Sequence, residues 1–236
     1  MKKMIKKTLR IISIVITVMI ISLWGYTLNS SKPLDDMTDQ INMYDLTSIA
    51  YEDGFDHISY KVDHPIKNIV FIPGGKVSPE SYEYLAVKLA LAGYDVTIVK
   101  TLFNLAILTP NYAEKFIEDD IDNVMIGHSL GGTVASMVAY QDENVTDVIF
   151  LASYTIKDLT DKHVLTITAE NDGVLDLEKV EASKSMLSDQ AEFEIILGGN
   201  HAQFGWYGAQ KGDGVATIDT LNQQDQVIQM ILNFIA

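Results

Sequence analysis

The stretch that decides the fold is VMIGHSLGG, residues 124–132. Its first three residues are apolar, as in a buried strand, and residues 130–140 carry apolar side chains at helical spacing. A serine in a tight turn between a strand and a helix, with small residues on both sides, presents its hydroxyl group at the edge of a sheet. The motif therefore predicts Ser129 as a nucleophile, in a turn that requires Gly127 and Gly131.

A serine hydroxyl group is a weak nucleophile unless a base takes its proton, and histidine is the usual base. Along the chain, such a turn is followed first by an acid and then by the histidine. Of the five histidines, two follow Ser129. His163 directly precedes the predicted strand 164–169, at the end away from the turn. His201 follows the predicted strand 193–197, at the carboxyl end of the sheet, so we predict that His201 is the base.

The orienting acid is expected just after strand 164–169, in the segment AENDG. Asp172 is the preferred residue, and Glu170, two positions nearer the strand, is the alternative. Asp176 is interpreted as the N-cap of the following helix. For the oxyanion hole, the motif predicts the backbone N–H of Leu130 and one N–H from the loop after the strand 68–72. That donor is either Gly75 or Lys76.

The remaining candidate site residues lie in two loops. Phe103, Leu105, Ala106 and Ile107 are interpreted as walls of an acyl pocket, and Asn104 and Lys76 as polar contacts to substrate. Phe204, Trp206 and Tyr207 are expected to edge the pocket beside the base. Core packing is an equally good explanation for each of the apolar residues.

The folded part alternates short apolar strands with helical patterns after an initial hairpin. This order predicts an α/β fold with a mostly parallel sheet covered by helices on both faces. Only eleven residues, 153–163, separate two of the strands, so the fold has a minimal lid or none. The predicted strands are 46–51, 57–62, 68–72, 95–99, 124–126, 147–152, 164–169 and 193–197. Helices are predicted to begin near Ser78 and to end before Gly93, and over 112–118, 130–140, 177–187 and 223–234.

The amino terminus predicts a membrane segment. Five basic residues lie in the first ten positions, and residues 11–28 contain no charge. Eighteen helical residues span about 27 Å, close to the hydrocarbon thickness of a bilayer. We therefore predict a cytoplasmic basic segment and signal-anchor helix over 1–28, a spacer over 29–43 and an extracellular catalytic domain over 44–236. The alternative is a signal peptide whose cleavage releases the enzyme outside the cell.

Charge and composition exclude several classes of function. The residues after the basic segment contain 12 Lys and Arg against 32 Asp and Glu, a net charge of −20. Such a domain repels phosphate backbones, so nucleic-acid binding is not expected. The chain has no cysteine, which excludes a cysteine nucleophile and thiolate metal sites. Neither a metal nor an organic cofactor is predicted, since the histidines and carboxylates lack ligand spacing.

Several segments together resemble a known family: IPGGKVSPESYEYLA at 72–86, IVKTLFNLAIL at 98–108, IGHSLGG at 126–132, AENDGV at 169–174, and GGNHAQFGWYG followed by GDGVATI at 198–218. The chain resembles small bacterial α/β-hydrolases of the dienelactone-hydrolase-like or carboxymethylenebutenolidase-like type. The resemblance implies the α/β-hydrolase fold and the same serine, acid and base. Dienelactone hydrolases are known for a cysteine nucleophile, which this chain lacks, so a serine esterase is the expected activity.

The expected reaction is hydrolysis of a carboxylic ester, or a related acyl bond, of a small or short-acyl substrate through an acyl-serine intermediate. Two alternatives stay open. The same triad would serve an acyltransferase, in which a second substrate replaces water. A different class is a non-catalytic, membrane-tethered binding protein that keeps the fold without the chemistry. The oligomeric state cannot be predicted from the sequence.

Overall fold

The computed structural model of the chain describes residues 2–27 and 29–236. The ends of the predicted amino-terminal segment, Met1 and Leu28, lie outside the described residues. The chain divides into two units, Met1–Ser30 and Ser31–Ala236.

The first unit consists of helix α1, Lys2–Thr27. Its stretch Met4–Tyr26 is long and apolar enough to cross a membrane, with a mean hydropathy of 2.0. None of that stretch is buried. Length and composition alone do not separate a membrane anchor from a signal sequence, because both carry such a helix.

The second unit is built on an eight-stranded sheet with the order β1-β2-β4-β3-β5-β6-β7-β8. Strands β1 and β2 pair antiparallel, β2 pairs antiparallel with β4, and the remaining pairs are parallel. The carboxyl ends of the six parallel strands therefore share one edge of the sheet, which we call the carboxyl edge. The strands are β1 Ala50–Asp53, β2 His57–Lys61, β3 Asn68–Ile72, β4 Asp95–Val99, β5 Asn123–His128, β6 Val145–Leu151, β7 His163–Ala169 and β8 Glu192–Ile196.

Helices cover both faces of this sheet, as predicted. Alternate residues of β3 enter opposite cores: Ile69 and Phe71 belong to one hydrophobic cluster, Val70 and Ile72 to the other. Side chains of α3 and α6 complete the first cluster and those of α4 complete the second. The helices of the unit are α2 Asp35–Ile41, α3 Glu83–Leu91, α4 Leu130–Gln141, α5 Leu177–Ser183 and α6 Thr220–Ile235.

The helix boundaries follow from capping chemistry. The carboxylate of Asp176 accepts the N–H of Lys179 at the start of α5, which is the N-cap role predicted for it. Gly93 follows the end of α3 with a φ of +97°, a left-handed conformation that glycine adopts at little cost, so the helix stops there. The helix predicted to start near Ser78 begins as a 3₁₀ turn, Pro79–Tyr82, before α3.

Two predicted elements differ from the structure, one in position and one in helix type. The first strand is Ala50–Asp53 rather than 46–51, because an Asp45–Thr47 turn and an Ile49 N–H to Leu46 C=O bond fold the preceding residues into turns. The helix predicted over 112–118 is a 3₁₀ helix, Pro110–Phe116.

The residues expected to form a spacer are folded in the structure. The second unit begins at Ser31, whose backbone pairs with that of Val77, and α2 lies within the predicted spacer. Met37 is buried in the first hydrophobic cluster. The Trp206 ring donates its Nε1–H to the Asp36 carboxylate at 2.9 Å. Polar composition predicted a linker here, but these contacts to distant residues hold the segment in place.

Candidate active site

The turn after β5 holds Ser129 in a strained conformation, with φ of +51° and ψ of −122°. The positions two residues before and two residues after Ser129 must be glycines, because the backbone there is crowded. A Cβ at Gly127 would lie 2.5 Å from the Gly131 carbonyl oxygen, and a Cβ at Gly131 would lie 2.2 Å from the Ile72 carbonyl oxygen. A Cβ at Gly132 would meet the Ser153 side chain at 2.4 Å. The turn between β5 and α4 therefore holds Ser129 at the carboxyl edge by packing that admits no Cβ at positions 127, 131 and 132.

The loops after β7 and β8 bring Asp172 and His201 together. Nδ1 of His201 lies 2.8 Å from Oδ2 of Asp172, and the two side chains are 2% and 1% exposed. The other carboxylate oxygen of Asp172 accepts the N–H groups of Val174 and Leu175, each at 2.8 Å. With these bonds the carboxylate stays in one orientation and fixes the imidazole ring with its proton on Nδ1.

The other ring nitrogen of His201, Nε2, is buried and has no hydrogen-bond partner within residues 2–27 and 29–236. His201 and Ser129 line the same cavity, of about 270 Å³. A buried polar nitrogen without a partner is costly in a folded protein and is a frequent feature of reactive sites. Among the described residues, this arrangement leaves Nε2 without a competing partner, on a residue that lines the same cavity as the serine.

Glu170, the alternative acid, serves another bond. Its Oε2 accepts the N–H of Gly198 at 2.8 Å, in the turn that follows β8. His163 begins β7 at the edge away from Ser129, exposes 65% of its side chain and lies 3.6 Å from Asp147. The structure therefore brings Asp172 and His201 together and places the two other residues outside this pair.

The loop after β3 lies against the start of α4. The Gly75 Cα is close to Leu130, since a Cβ there would lie 3.1 Å from Leu130 Cδ2. The neighbouring N–H groups of this loop are already engaged: Gly74 donates to Tyr82 Oη at 3.0 Å and Lys76 donates to the Asn104 carbonyl at 2.8 Å. The Lys76 prediction as an oxyanion donor is therefore wrong, because its backbone N–H is held by the next loop.

Several predicted substrate residues lie away from the cavity. Phe204 and Trp206 are 0% and 2% exposed and belong to the first hydrophobic cluster, where Trp206 packs edge-on against Tyr84. The prediction that they edge the pocket is wrong, because both are buried in the hydrophobic core and neither lines the cavity of Ser129. Phe103 lines a separate cavity of about 360 Å³, and Asn104 contributes its carbonyl group to the Lys76 bond.

Two residues beside the Asp172–His201 pair were missed in the sequence. The Tyr82 hydroxyl lies 2.8 Å from Nδ1 of His128, and the His128 ring packs 4.8 Å from the His201 ring. Burial raises the pKa of Tyr82. The pKa of His128 is lowered well below 6.5, mainly by burial and secondly by the electrostatic effect of His201. The tyrosine is therefore protonated and donates to a neutral histidine. His128 stands inside the serine motif, but no local signal links it to Tyr82.

Ser153 is a third residue that the sequence did not single out. Its hydroxyl group donates to the Ser129 carbonyl at 2.6 Å and lines the same cavity. Within the described part of the chain, His, Cys, Asp and Glu side chains form no group that could hold a metal ion.

A family model described as "Alpha/beta hydrolase family" matches residues 68–225, about two thirds of the chain. The chain belongs to the alpha/beta hydrolase family. The matched region contains the strained serine turn and the Asp172–His201 pair. This confirms the predicted fold and the predicted enzyme class, a hydrolase. Comparison with curated protein sequences finds no match.

Solved structures with similar folds are distant in sequence. A predicted CIB-like hydrolase from Thermoplasma acidophilum is 14% identical with a TM-score of 0.58, and the match covers 78% of this chain and 99% of that one. A dienelactone hydrolase from Anabaena variabilis is 13% identical with a TM-score of 0.58, covering 79% and 99%. An esterase from Pyrobaculum calidifontis is 14% identical with a TM-score of 0.60, covering 91% and 90%. At these identities the likeness extends to the fold.

Proposed function

We propose that this hydrolase cleaves carboxylic esters of small or short-acyl substrates, with Ser129 as nucleophile, His201 as base and Asp172 as acid. The observation that supports this most strongly is the buried 2.8 Å contact between His201 and Asp172, beside an unpartnered Nε2 in the cavity of Ser129. The dienelactone hydrolase and the esterase named above share the fold, which is consistent with the proposal.

In the proposed reaction, Nε2 of His201 accepts the proton of the Ser129 hydroxyl as Oγ attacks the ester carbonyl carbon. The backbone N–H groups of Leu130 and Gly75 donate to the oxyanion of the tetrahedral intermediate. The intermediate collapses when His201 returns the proton to the leaving alcohol, which leaves an acyl group on Ser129. Water, deprotonated by His201, then attacks the acyl carbon and releases the carboxylic acid and the free serine.

Asp172 acts through His201. Its carboxylate accepts the Nδ1–H bond throughout and stabilises the imidazolium that forms when Nε2 takes up the proton. Because the pair is almost fully excluded from solvent, the attraction between carboxylate and imidazolium is weakly screened.

The size of the site favours small substrates. Its volume of about 270 Å³ lies just below the range for ligand pockets, about 300–1,000 Å³. Only residues 152–162 connect β6 to β7, so no lid domain is inserted there to form an apolar tunnel. Polar side chains of Thr133, Ser153 and Lys179 share the lining with apolar ones. Short-acyl esters fit this site better than long-chain lipids.

Hydrolysis of p-nitrophenyl acetate, butyrate, octanoate and laurate by the full chain in detergent tests this proposal. We expect turnover of acetate and butyrate, falling steeply for octanoate and laurate. The Ser129→Ala variant should lose this turnover, and Ser185→Ala, at an exposed serine that bonds the Ala182 carbonyl, should retain it. Turnover that survives in Ser129→Ala would refute the serine mechanism, and a preference for laurate would refute the substrate class.

We also infer that α1 anchors the enzyme in the cell membrane, with the basic segment in the cytoplasm and the hydrolase unit outside. Two observations support this inference. The stretch Met4–Tyr26 has 23 residues and is apolar, and five basic residues lie in the first ten positions of the chain. Extraction of membranes with alkaline carbonate should leave the intact chain in the membrane fraction. Protease added outside the cell should digest the hydrolase unit. A soluble product lacking the amino-terminal residues would show instead that the segment is a cleaved signal.

A further inference from the structure

Asp213 connects the two loops that carry the acid and the base. It lies in the segment GDG, residues 212–214, which is 12 residues after His201 and about 40 residues after the acid loop. Its Oδ1 accepts the N–H of Gly173 at 3.1 Å and the N–H of His201 at 3.2 Å. Its Oδ2 accepts the N–H of Ala202 at 2.8 Å. One carboxylate therefore holds the residue after Asp172 and the backbone of His201 itself.

The backbone around Asp213 packs closely against the acid loop. Oδ1 also accepts the N–H of Gly214 at 2.8 Å, which fixes the carboxylate relative to its own loop. Gly214 approaches the acid loop so closely that a Cβ there would lie 2.0 Å from the Asn171 carbonyl oxygen. A Cβ at Gly173 would lie 2.6 Å from the Gly212 carbonyl oxygen. The segment 212–214 is packed against the acid loop backbone to backbone.

Neighbouring bonds continue the same connection. The Asn200 side chain donates to the Gly214 carbonyl at 2.9 Å, and the Asn200 backbone N–H donates to Gln223 at 2.9 Å. The residue directly before the base is thus tied both to the segment 212–214 and to α6. Asp213 stands at the centre of this set, since its bonds reach both triad loops.

We propose that Asp213 is a positioning residue for the reaction: it sets the distance and angle between Asp172 and His201 by binding the backbone of both loops. The inference rests on the proposed function. Charge-assisted hydrogen bonds from backbone N–H groups to a carboxylate are roughly twice as strong as neutral ones, so the three from Gly173, His201 and Ala202 restrain the two loops tightly. A displacement of about 1 Å in a catalytic constellation lowers the rate about 100-fold.

The substitutions Asp213→Ala and Asp213→Asn separate positioning from folding. Alanine removes every acceptor. Asparagine can keep its oxygen at the Oδ1 position, facing Gly173, His201 and Gly214, and loses only the bond from Ala202. We expect kcat for p-nitrophenyl acetate to fall about 100-fold in Asp213→Ala, with KM changing less than about twofold. Asp213→Asn should recover most of that loss.

The matched control is Asp158→Ala. Asp158 also accepts a backbone N–H, that of Thr160 at 3.1 Å, in an exposed loop without a bond to the triad. Its kcat should equal that of the unmodified chain. The spectroscopic readout is the low-field proton resonance of the His201 Nδ1–H bonded to Asp172, which should weaken or vanish in Asp213→Ala and persist in Asp213→Asn and Asp158→Ala.

The outcomes distinguish this inference from the proposed function. If the unmodified chain fails to hydrolyse the ester, the proposed function fails, and the low-field resonance still decides whether Asp213 positions the pair. If the unmodified chain is active and Asp213→Ala keeps both its kcat and its resonance, Asp213 has no positioning role. If Asp213→Ala does not fold, an Asp213→Asn variant that is folded and as inactive as a triad variant would also overturn the inference, because three of its four acceptor bonds remain possible.

Discussion

Replacing Asp172 by asparagine should reverse the hydrogen bond that orients the base. The wild-type Oδ1 accepts the N–H groups of Val174 and Leu175, each at 2.8 Å, and Oδ2 lies 2.8 Å from His201 Nδ1. An asparagine that keeps its oxygen toward the two N–H groups directs its NH₂ group at Nδ1. Nδ1 must then accept a bond, so the proton of the neutral ring moves to Nε2, and Nε2 can no longer take the proton of Ser129.

The magnitude follows from the cost of the competent alternative. Flipping the amide would restore the correct tautomer but would leave the N–H groups of Val174 and Leu175 without this acceptor. The Leu175 N–H is partly buried and costs about 2 kcal/mol, whereas the exposed Val174 N–H can bond to water. The imidazolium also loses its charged partner, a further loss of about 2 kcal/mol. The barrier therefore rises by about 4 kcal/mol, which corresponds to a decrease in kcat of about 10³-fold. KM should change little, because Asp172 does not line the substrate cavity.

Glu170→Gln is the matched control for this substitution. The glutamine oxygen can still accept the Gly198 N–H, the bond that Glu170 makes at 2.8 Å, so activity should stay near that of the unmodified chain. Steady-state hydrolysis of p-nitrophenyl acetate by both variants gives the comparison. An Asp172→Asn enzyme within tenfold of the unmodified chain, with an inactive Glu170→Gln enzyme, would contradict the assignment of the acid.

Three further substitutions test the surroundings of the serine. Gly131→Ala places a Cβ 2.2 Å from the Ile72 carbonyl oxygen and should lower the free energy of unfolding by about 3 kcal/mol in urea denaturation, together with kcat. Ser153→Ala removes the 2.6 Å bond to the Ser129 carbonyl and should cost about 1 kcal/mol in the same assay. His128 has a pKa lowered below 6.5 in the folded state, so only the unfolded state binds its proton as the pH falls through 6.5. Its stability contribution is therefore present above that pH and lost below it, and His128→Asn should reduce the pH dependence of unfolding between 6.5 and 5.5 by up to about 1.4 kcal/mol per pH unit.

The part of the fold that local pattern determines was predicted well. Short apolar runs such as 68–72 and 95–99 coincide with β3 and β4 because strands buried on both faces need continuous apolar sequence. The serine turn was readable because a Cβ at Gly127 would clash with the backbone of Gly131 and Gly132 within the same turn. Asp172 and His201 could then be predicted to lie near Ser129, because both follow parallel strands whose carboxyl ends share one edge of the sheet.

The remainder depends on contacts between distant parts of the chain. The order of β3 and β4 in the sheet, the Trp206–Asp36 bond and the Tyr82–His128 bond have no local signature. Phe204 and Trp206 stand beside the base in sequence, but an apolar residue in a loop has the same pattern whether it packs in a core or lines a cavity. In the structure, tertiary packing places both Phe204 and Trp206 in the hydrophobic core.

Covalent labelling of the full chain with a fluorophosphonate probe tests the central claim most directly, because such a probe reacts with a serine that has been activated by a base. We expect one probe per chain, mapped by mass spectrometry of the digest to the peptide that contains Ser129. Labelling should be absent in Ser129→Ala and unchanged in Ser185→Ala. A folded chain that takes up no probe, or that carries it on a different serine, would contradict the proposal that Ser129 is the nucleophile.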